Sequence, residues 1–286
     1  MRPALRAAAV AGLLLNATVW GLSWWPFRHL QGLGLPPLWA TAAMYVIGGT
    51  LIAAAQPRAL RQLLAQPALW SIAVTAGATN AAFNWGVTSG DVVRVVLLFY
   101  LMPVWAALLA WALLGERLHA GGAARLALAL IGAAIVLWPA EGGLPLPRSL
   151  PDWLGLTGGM FFALNNVLLR KFAAAPAAAR GLAMFAGGAV VPAALGAALV
   201  GMGAAGWPAA ASVAHWAPLV ALLALAFLAA NFGLQFGAGA LPSHLTAVIM
   251  TTEIVIAGVS SVLIGGEPLT ARLLLGGALI VGAALL

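Results

Sequence analysis

The residue in this chain that stands out chemically is Glu253, near the middle of an apolar stretch over 243–264. A bare carboxylate at that depth in a bilayer is expensive, so an acid held there calls for a partner or a role. Thr246, Glu253 and Ser260 are spaced by seven and give this stretch a polar stripe. Other side chains able to grip a small polar molecule recur at helical spacing. Asn16, Trp20, Ser23 and Phe27 share one face, Asn80, Asn84 and Thr88 a second, and Asn231 and Gln235 a third. Trp20, Tyr100 and Phe162 supply stacking surfaces, and Asn165 adds another amide. Such groups would hold an amino acid's backbone and stack on its side chain without binding it too tightly to leave. The bland reading of the amides is that they hydrogen-bond neighbouring helices, for about 0.6–2 kcal/mol each.

The elements that must position these groups are transmembrane helices. Of 286 residues, 64% are hydrophobic and 7% charged, too few charges to cover a soluble domain. The apolar runs are about 20 residues long and continuous, unlike the alternation of a membrane barrel. Ten spans are expected, near 9–29, 36–55, 69–89, 92–114, 120–138, 153–172, 178–202, 214–240, 243–264 and 270–286. Arg2 and Arg6 followed by an apolar core resemble a signal peptide, but no small-residue cleavage site follows, and the segment is read as a retained first helix. With the amino terminus inside, nine basic residues fall on the cytoplasmic side, while Arg28, Arg94, Arg148 and Arg272 fall outside. That bias places both termini in the cytoplasm. Trp39, Trp138, Trp153, Trp207 and Trp216 read as interface anchors.

The spans form a repeat. Gly115-Glu116-Arg117-Leu118 and Gly266-Glu267-Pro268-Leu269 lie at one offset, shared by the pairs Asn80/Asn231 and Asn84/Gln235. Trp20-Gly21-Leu22-Ser23 matches Phe162-Ala163-Leu164-Asn165, and Phe27-Arg28-His29-Leu30 matches Leu169-Arg170-Lys171-Phe172. Two five-helix units are expected, 1–140 and 152–286. Because five is odd, the second enters the membrane upside down, which puts a substrate site between the halves near the midplane. Glu253 breaks this symmetry, since its counterpart is Met102.

Ten helices in two such units, with Trp20-Gly21 in the first helix and Gly-Glu-x-Leu before the last helix of each half, resemble the EamA family of the drug/metabolite transporter superfamily. The resemblance, also to bacterial aromatic amino-acid exporters of that superfamily, implies a basket of helices around a central cavity in the bacterial inner membrane. Its fourth helix carries Pro103 in the first half but Ile254 in the second, which argues against a kink in both.

The expected fold is therefore all-α and integral to the membrane, and the expected function is export of amino acids, aromatic and other neutral ones, by alternating access. The expected substrate-binding set is Trp20, Ser23, Asn80, Asn84, Tyr100, Phe162, Asn165, Asn231, Gln235 and Glu253. A purine or nucleotide sugar is the alternative cargo, although phosphates call for cavity cations and only Arg94, Arg170 and Lys171 come near, at span ends. A membrane-embedded enzyme is a weaker alternative, because His29, His119, His215 and His244 show no metal-ligand or triad spacing. No cofactor or metal is expected, and without cysteine no thiol chemistry is available. The net charge of +7 is scattered and not run together, so nucleic acid is not an expected partner. The expected partners are the small-molecule substrate and the bilayer, with the chain a monomer or weak dimer. Gly121, Gly122, Gly132, Gly276, Gly277 and Gly282 suit either close helix packing or a dimer seam.

Overall fold

The computed structural model describes residues 3–114, 120–139, 144–241 and 243–285. Among them the chain is helical, without strands. In order the helices are α1 (Pro3–Leu22), α2 (Trp24–Gly32), α3 (Pro37–Ala55), α4 (Pro57–Ala65), α5 (Leu69–Ser89), α6 (Val92–Phe99) and α7 (Met102–Leu114). They continue with α8 (Ala120–Leu137), α9 (Leu150–Lys171), α10 (Ala177–Gly201), α11 (Val213–Ala240), α12 (Ser243–Met250), α13 (Thr252–Leu263) and α14 (Ala271–Leu285). Five segments are long and apolar enough to cross a membrane: Ala4–Gly32, Pro37–Ala55, Val92–Leu109, Ala177–Gly201 and Val213–Ala240. Shorter apolar helices accompany them, and the chain is a multi-pass membrane protein. The Gly-Glu of the first half, Gly115-Glu116, lies outside the described residues.

Three expected spans are broken. The first divides at Ser23, three residues before Pro26, whose missing N–H and bulky ring prevent a bond to the Leu22 carbonyl. The fourth divides at Tyr100 and Leu101, because Pro103 in the same way denies a donor to Phe99, where α6 stops. The ninth divides at Thr251 with no proline nearby. There the Thr251 and Thr252 hydroxyls donate to the Val248 and Ile249 carbonyls, each at 2.7 Å, and such back-bonding competes with the helical ladder. The expected absence of a kink in both halves is thus corrected. Tyr100 and Thr251 stand at one repeat offset, and different chemistry interrupts the helix at each. The connector between the expected spans 36–55 and 69–89 is itself partly helical: Pro57 sits at the first turn of α4, whose buried Ala59 and Leu63 give it one apolar side.

The helices pack mostly across the two halves. α5 lies against α9 and α10, α1 against α11 and α13, α3 against α10, and α8 against α14. Glycine permits the closest of these approaches. A Cβ on Gly187 would run into the Ala73 carbonyl, so α5 and α10 meet backbone to backbone. Gly12 and Gly233 touch in the same way between α1 and α11, and Gly132 and Gly276 between α8 and α14. Gly132, Gly276 and Gly277 therefore serve packing within the chain.

Candidate functional site

The polar residues divide by what surrounds them. Asn80 is buried and spent: its amide oxygen accepts from the Tyr45 hydroxyl at 2.6 Å and its nitrogen donates to the Ala76 carbonyl at 2.7 Å. Asn84 is fully buried and donates to Thr41 Oγ1 at 3.1 Å, with its own oxygen left without a partner. Asn165 is buried and accepts from Thr75 Oγ1 at 3.1 Å. Ser23 turns back on the Trp20 carbonyl at 2.8 Å, at the break between α1 and α2. Asn231 and Gln235 bond each other at 2.7 Å on the less buried side of α11. Trp20 sits between two cores, its ring 4.8 Å from Phe227 and 5.5 Å from Phe83.

Glu253 lies in the first turn of α13, where a carboxylate is favoured by the helix N-terminus. It is buried, and its Oε2 accepts from the Tyr100 hydroxyl at 2.9 Å. That hydroxyl also lies 3.3 Å from the Met250 carbonyl, which the break at Thr251 releases from its helix. The interruption of the first half thus reaches across to the interruption of the second. Gly21 of α1 covers the spot, its absent Cβ leaving room for the Glu253 backbone carbonyl.

A cavity of about 340 Å³ opens between α7 and α9, and neither Tyr100 nor Glu253 lines it. Met102, Pro103 and Ala106 line one wall, and Phe162, Asn166, Val167 and Arg170 the other. Of the ten expected site residues only Phe162 is among these. Asn165 and Asn166 are neighbours about 100° apart on the helix, and it is Asn166 that meets the cavity. The spacing Phe162, Asn166, Arg170, four by four, was the available signal.

The opposite end of the bundle is cross-tied by charged groups. Glu267 Oε1 accepts from Arg28 Nη2 at 2.8 Å, and its Oε2 accepts from the Val92 amide at 2.9 Å, capping α6. Arg28 also donates to the Gly90 carbonyl and lies 4.9 Å over the Trp24 ring. The Trp24 indole in turn donates to Ser260 Oγ at 2.9 Å. Gly266, at φ +65°, takes the left-handed conformation that sets this turn. Next to it Arg94 grips Asp152 through two nitrogens, at 2.6 and 3.0 Å, and donates to the Val136 carbonyl at 2.7 Å. Asp152 stands just ahead of the expected span 153–172. Burial pushes its carboxyl up, but Arg94 and the Arg148 and Ser149 amides outweigh that and leave it below the ordinary 3.8. A larger hollow of about 560 Å³, edged by Arg94, Arg148 and Arg272, lies at this end. None of the ten expected site residues touches it, which makes the α7–α9 cavity the better candidate.

Residues 7–138 match the EamA-like transporter family. That match supports the drug/metabolite transporter superfamily and a membrane transporter of small molecules. A protein solved as a crystal structure aligns over 97% of this chain and 95% of its own, with a TM-score of 0.59 and 20% identity. At that identity the likeness shows the fold alone. No curated protein gives a significant match.

Proposed function

We propose that the chain exports amino acids, aromatic and other neutral ones, by alternating access across the bacterial inner membrane, with both termini cytoplasmic. The observation that carries this reading is the contrast between a cavity at Phe162 and a closed end at Arg28 and Glu267. A carrier exposes its site to one end at a time, and an open cavity with a cross-tied opposite end suits that.

Ten spans in two inverted five-helix repeats, 1–140 and 152–286, supply the machinery. The helix pairing supports this. Exchanging each helix for its sequence counterpart turns the α5–α9 contact into α11–α1, turns α5–α10 into α11–α3, and leaves α8–α14 and α3–α10 as they were. Rocking one half against the other would then exchange the open and closed ends.

Glu253 is the group that takes the substrate's ammonium or carries a proton. Its described hydrogen-bond partner is a phenol, and among the described residues no cation is paired with it. A nucleotide sugar is the less suitable cargo, because the cavity wall carries a single cation, Arg170.

Counterflow in proteoliposomes loaded with phenylalanine or tryptophan, with and without a pH gradient, tests the reading. Flux above empty vesicles supports it, and its absence for every amino acid in a panel sinks it. Glu253→Gln should lose the response to the pH gradient or lose ammonium-bearing substrates selectively. Retention of both rate and pH dependence would leave Glu253 a packing residue.

A further inference from the structure

We propose that the cleft between α7 and α9 is the subsite for the substrate's carboxylate end, with Arg170 and Asn166 taking a monoanionic carboxylate and Phe162 and Met102 taking the apolar body. The proposal rests on the transporter reading above and assigns polarity to its cargo.

Phe162, Asn166 and Arg170 follow one another four residues apart and so lie on one side of α9, each step rising about 6 Å. All three line the same cavity. Long helical side chains lean toward the helix N-terminus, which directs the Arg170 side chain toward Asn166, while its Cα stays about 12 Å along the axis from that of Phe162. Cation, amide and ring are thereby set out in the order in which phenylalanine carries its carboxylate and ring. At about 340 Å³ the cavity is at the small end of ligand sites, which run from about 300 to 1,000 Å³.

Charge narrows the class. Arg170 is itself engaged within the protein, yet a guanidinium has five N–H donors and can present an edge to a carboxylate while keeping another contact. No second cation is among the residues that line the cleft, so a phosphoryl dianion would remain half compensated. The substrate's amino group is repelled from Arg170 and left toward α7. There Met102 follows Tyr100, the partner of Glu253, by two residues.

The test is counterflow of labelled phenylalanine with three competitors: phenethylamine, which lacks the carboxylate, phenylpyruvate, which keeps it, and phenyl phosphate. In the wild type phenylpyruvate should compete and phenethylamine should not. Arg170→Gln should raise the half-saturating phenylalanine concentration about tenfold or more, the scale of one charge-assisted hydrogen bond, and should abolish that discrimination. Asn166→Ala, at an exposed position, should raise it a few-fold without changing the folded yield, and Arg170→Lys should fall between.

Equal competition by phenethylamine, stronger competition by phenyl phosphate, or unchanged half-saturation in both Arg170→Gln and Asn166→Ala would overturn the proposal. If the wild type moves no amino acid at all, the function reading fails by itself. The subsite is then read by thermal shift with phenylpyruvate: a shift that Arg170→Gln removes upholds it, and no shift in the wild type overturns it.

Discussion

Arg28 and Arg170 occupy matching places in the two halves of the sequence, yet the structure uses them in opposite ways. Arg28 is clasped by Glu267, by the Gly90 carbonyl and by the face of Trp24, at an end where helices of both halves converge. Arg170 lines a cavity at the far end of α9, about 30 Å away for a helix of that length. The same residue type at the same repeat position serves as closure at one end and as wall at the other. What separates the two is the company each keeps, and that company can be altered one residue at a time.

The largest effect is expected at the closed end, from the second ion pair. Asp152 is nearly inaccessible, with its side chain 3% exposed, while Arg94 is 28% exposed. Arg94→Ala would strand a buried carboxylate, at a cost of about 3 kcal/mol, and thermal unfolding in detergent should register it as a clear drop in midpoint. Replacing both partners with leucine should restore most of the loss, since an apolar pair of similar size replaces a buried ion pair at little cost. If Arg94→Ala is as stable as the wild type, the pair does not hold this end together.

Next comes the latch itself. Glu267→Gln removes the charge that holds Arg28 while keeping a group able to accept from the Val92 amide. Because the chain has no cysteine, a single Thr88→Cys, buried beside Gly90, reports access to this end without background. Maleimide labelling of that position should quicken several-fold in Glu267→Gln, the scale expected for losing about 1 kcal/mol of partly exposed ion pair. Unchanged labelling would mean that packing alone keeps the end closed.

Much of this arrangement can be read in the sequence, and the unread part has physical causes. Apolar runs of bilayer length mark the helices, and the Gly-Glu turn of the second half proved to be a working contact. The break at Thr251 was hidden because the residues around it remain apolar and helix-compatible, so periodicity continues across the gap, whereas Pro26 and Pro103 were the available signals for the other two. Asn165 and Asn166 show a simpler limit. Sequence gives the spacing along a helix but not its rotation, and a turn of about 100° separates an amide bound to Thr75 from one lining the cavity. The partners of Asn80 and Asn84, Tyr45 and Thr41, lie on another helix and carry no local signal.

A smaller effect follows from pH at the closed end. The carboxyl of Asp152 lies below its ordinary value in the folded chain, so the unfolded chain binds its proton more readily as acid is added. The stability it contributes is complete above the unfolded value, near 3.8, and is lost as pH falls through the folded one. Apparent midpoints should therefore be insensitive to this group at neutral pH and should fall in mild to strong acid. Asp152→Asn should be less stable at pH 7 and should flatten that acid limb; an equally steep limb in the variant would assign the acid sensitivity to other carboxyls.

The smallest effect is expected from Asn231 and Gln235, the counterparts of Asn80 and Asn84. In the first half these amides are buried and bonded to other helices, so Asn84→Ala should cost about 1 kcal/mol or more through the Thr41 hydroxyl it abandons. In the second half the two amides bond each other, and Gln235 is exposed. An exposed pair four residues apart on a helix contributes only about 0.2–0.5 kcal/mol, so the double variant Asn231→Ala/Gln235→Ala should unfold within a degree or two of the wild type. That near-silence makes the transport readout informative. A double variant that keeps its fold but loses phenylalanine counterflow would put these amides on the substrate's path, whereas one that keeps both would leave them as a local hydrogen bond on α11. A drop in stability as large as that of Asn84→Ala would instead show that the two halves treat their amides alike, and the contrast between them would disappear.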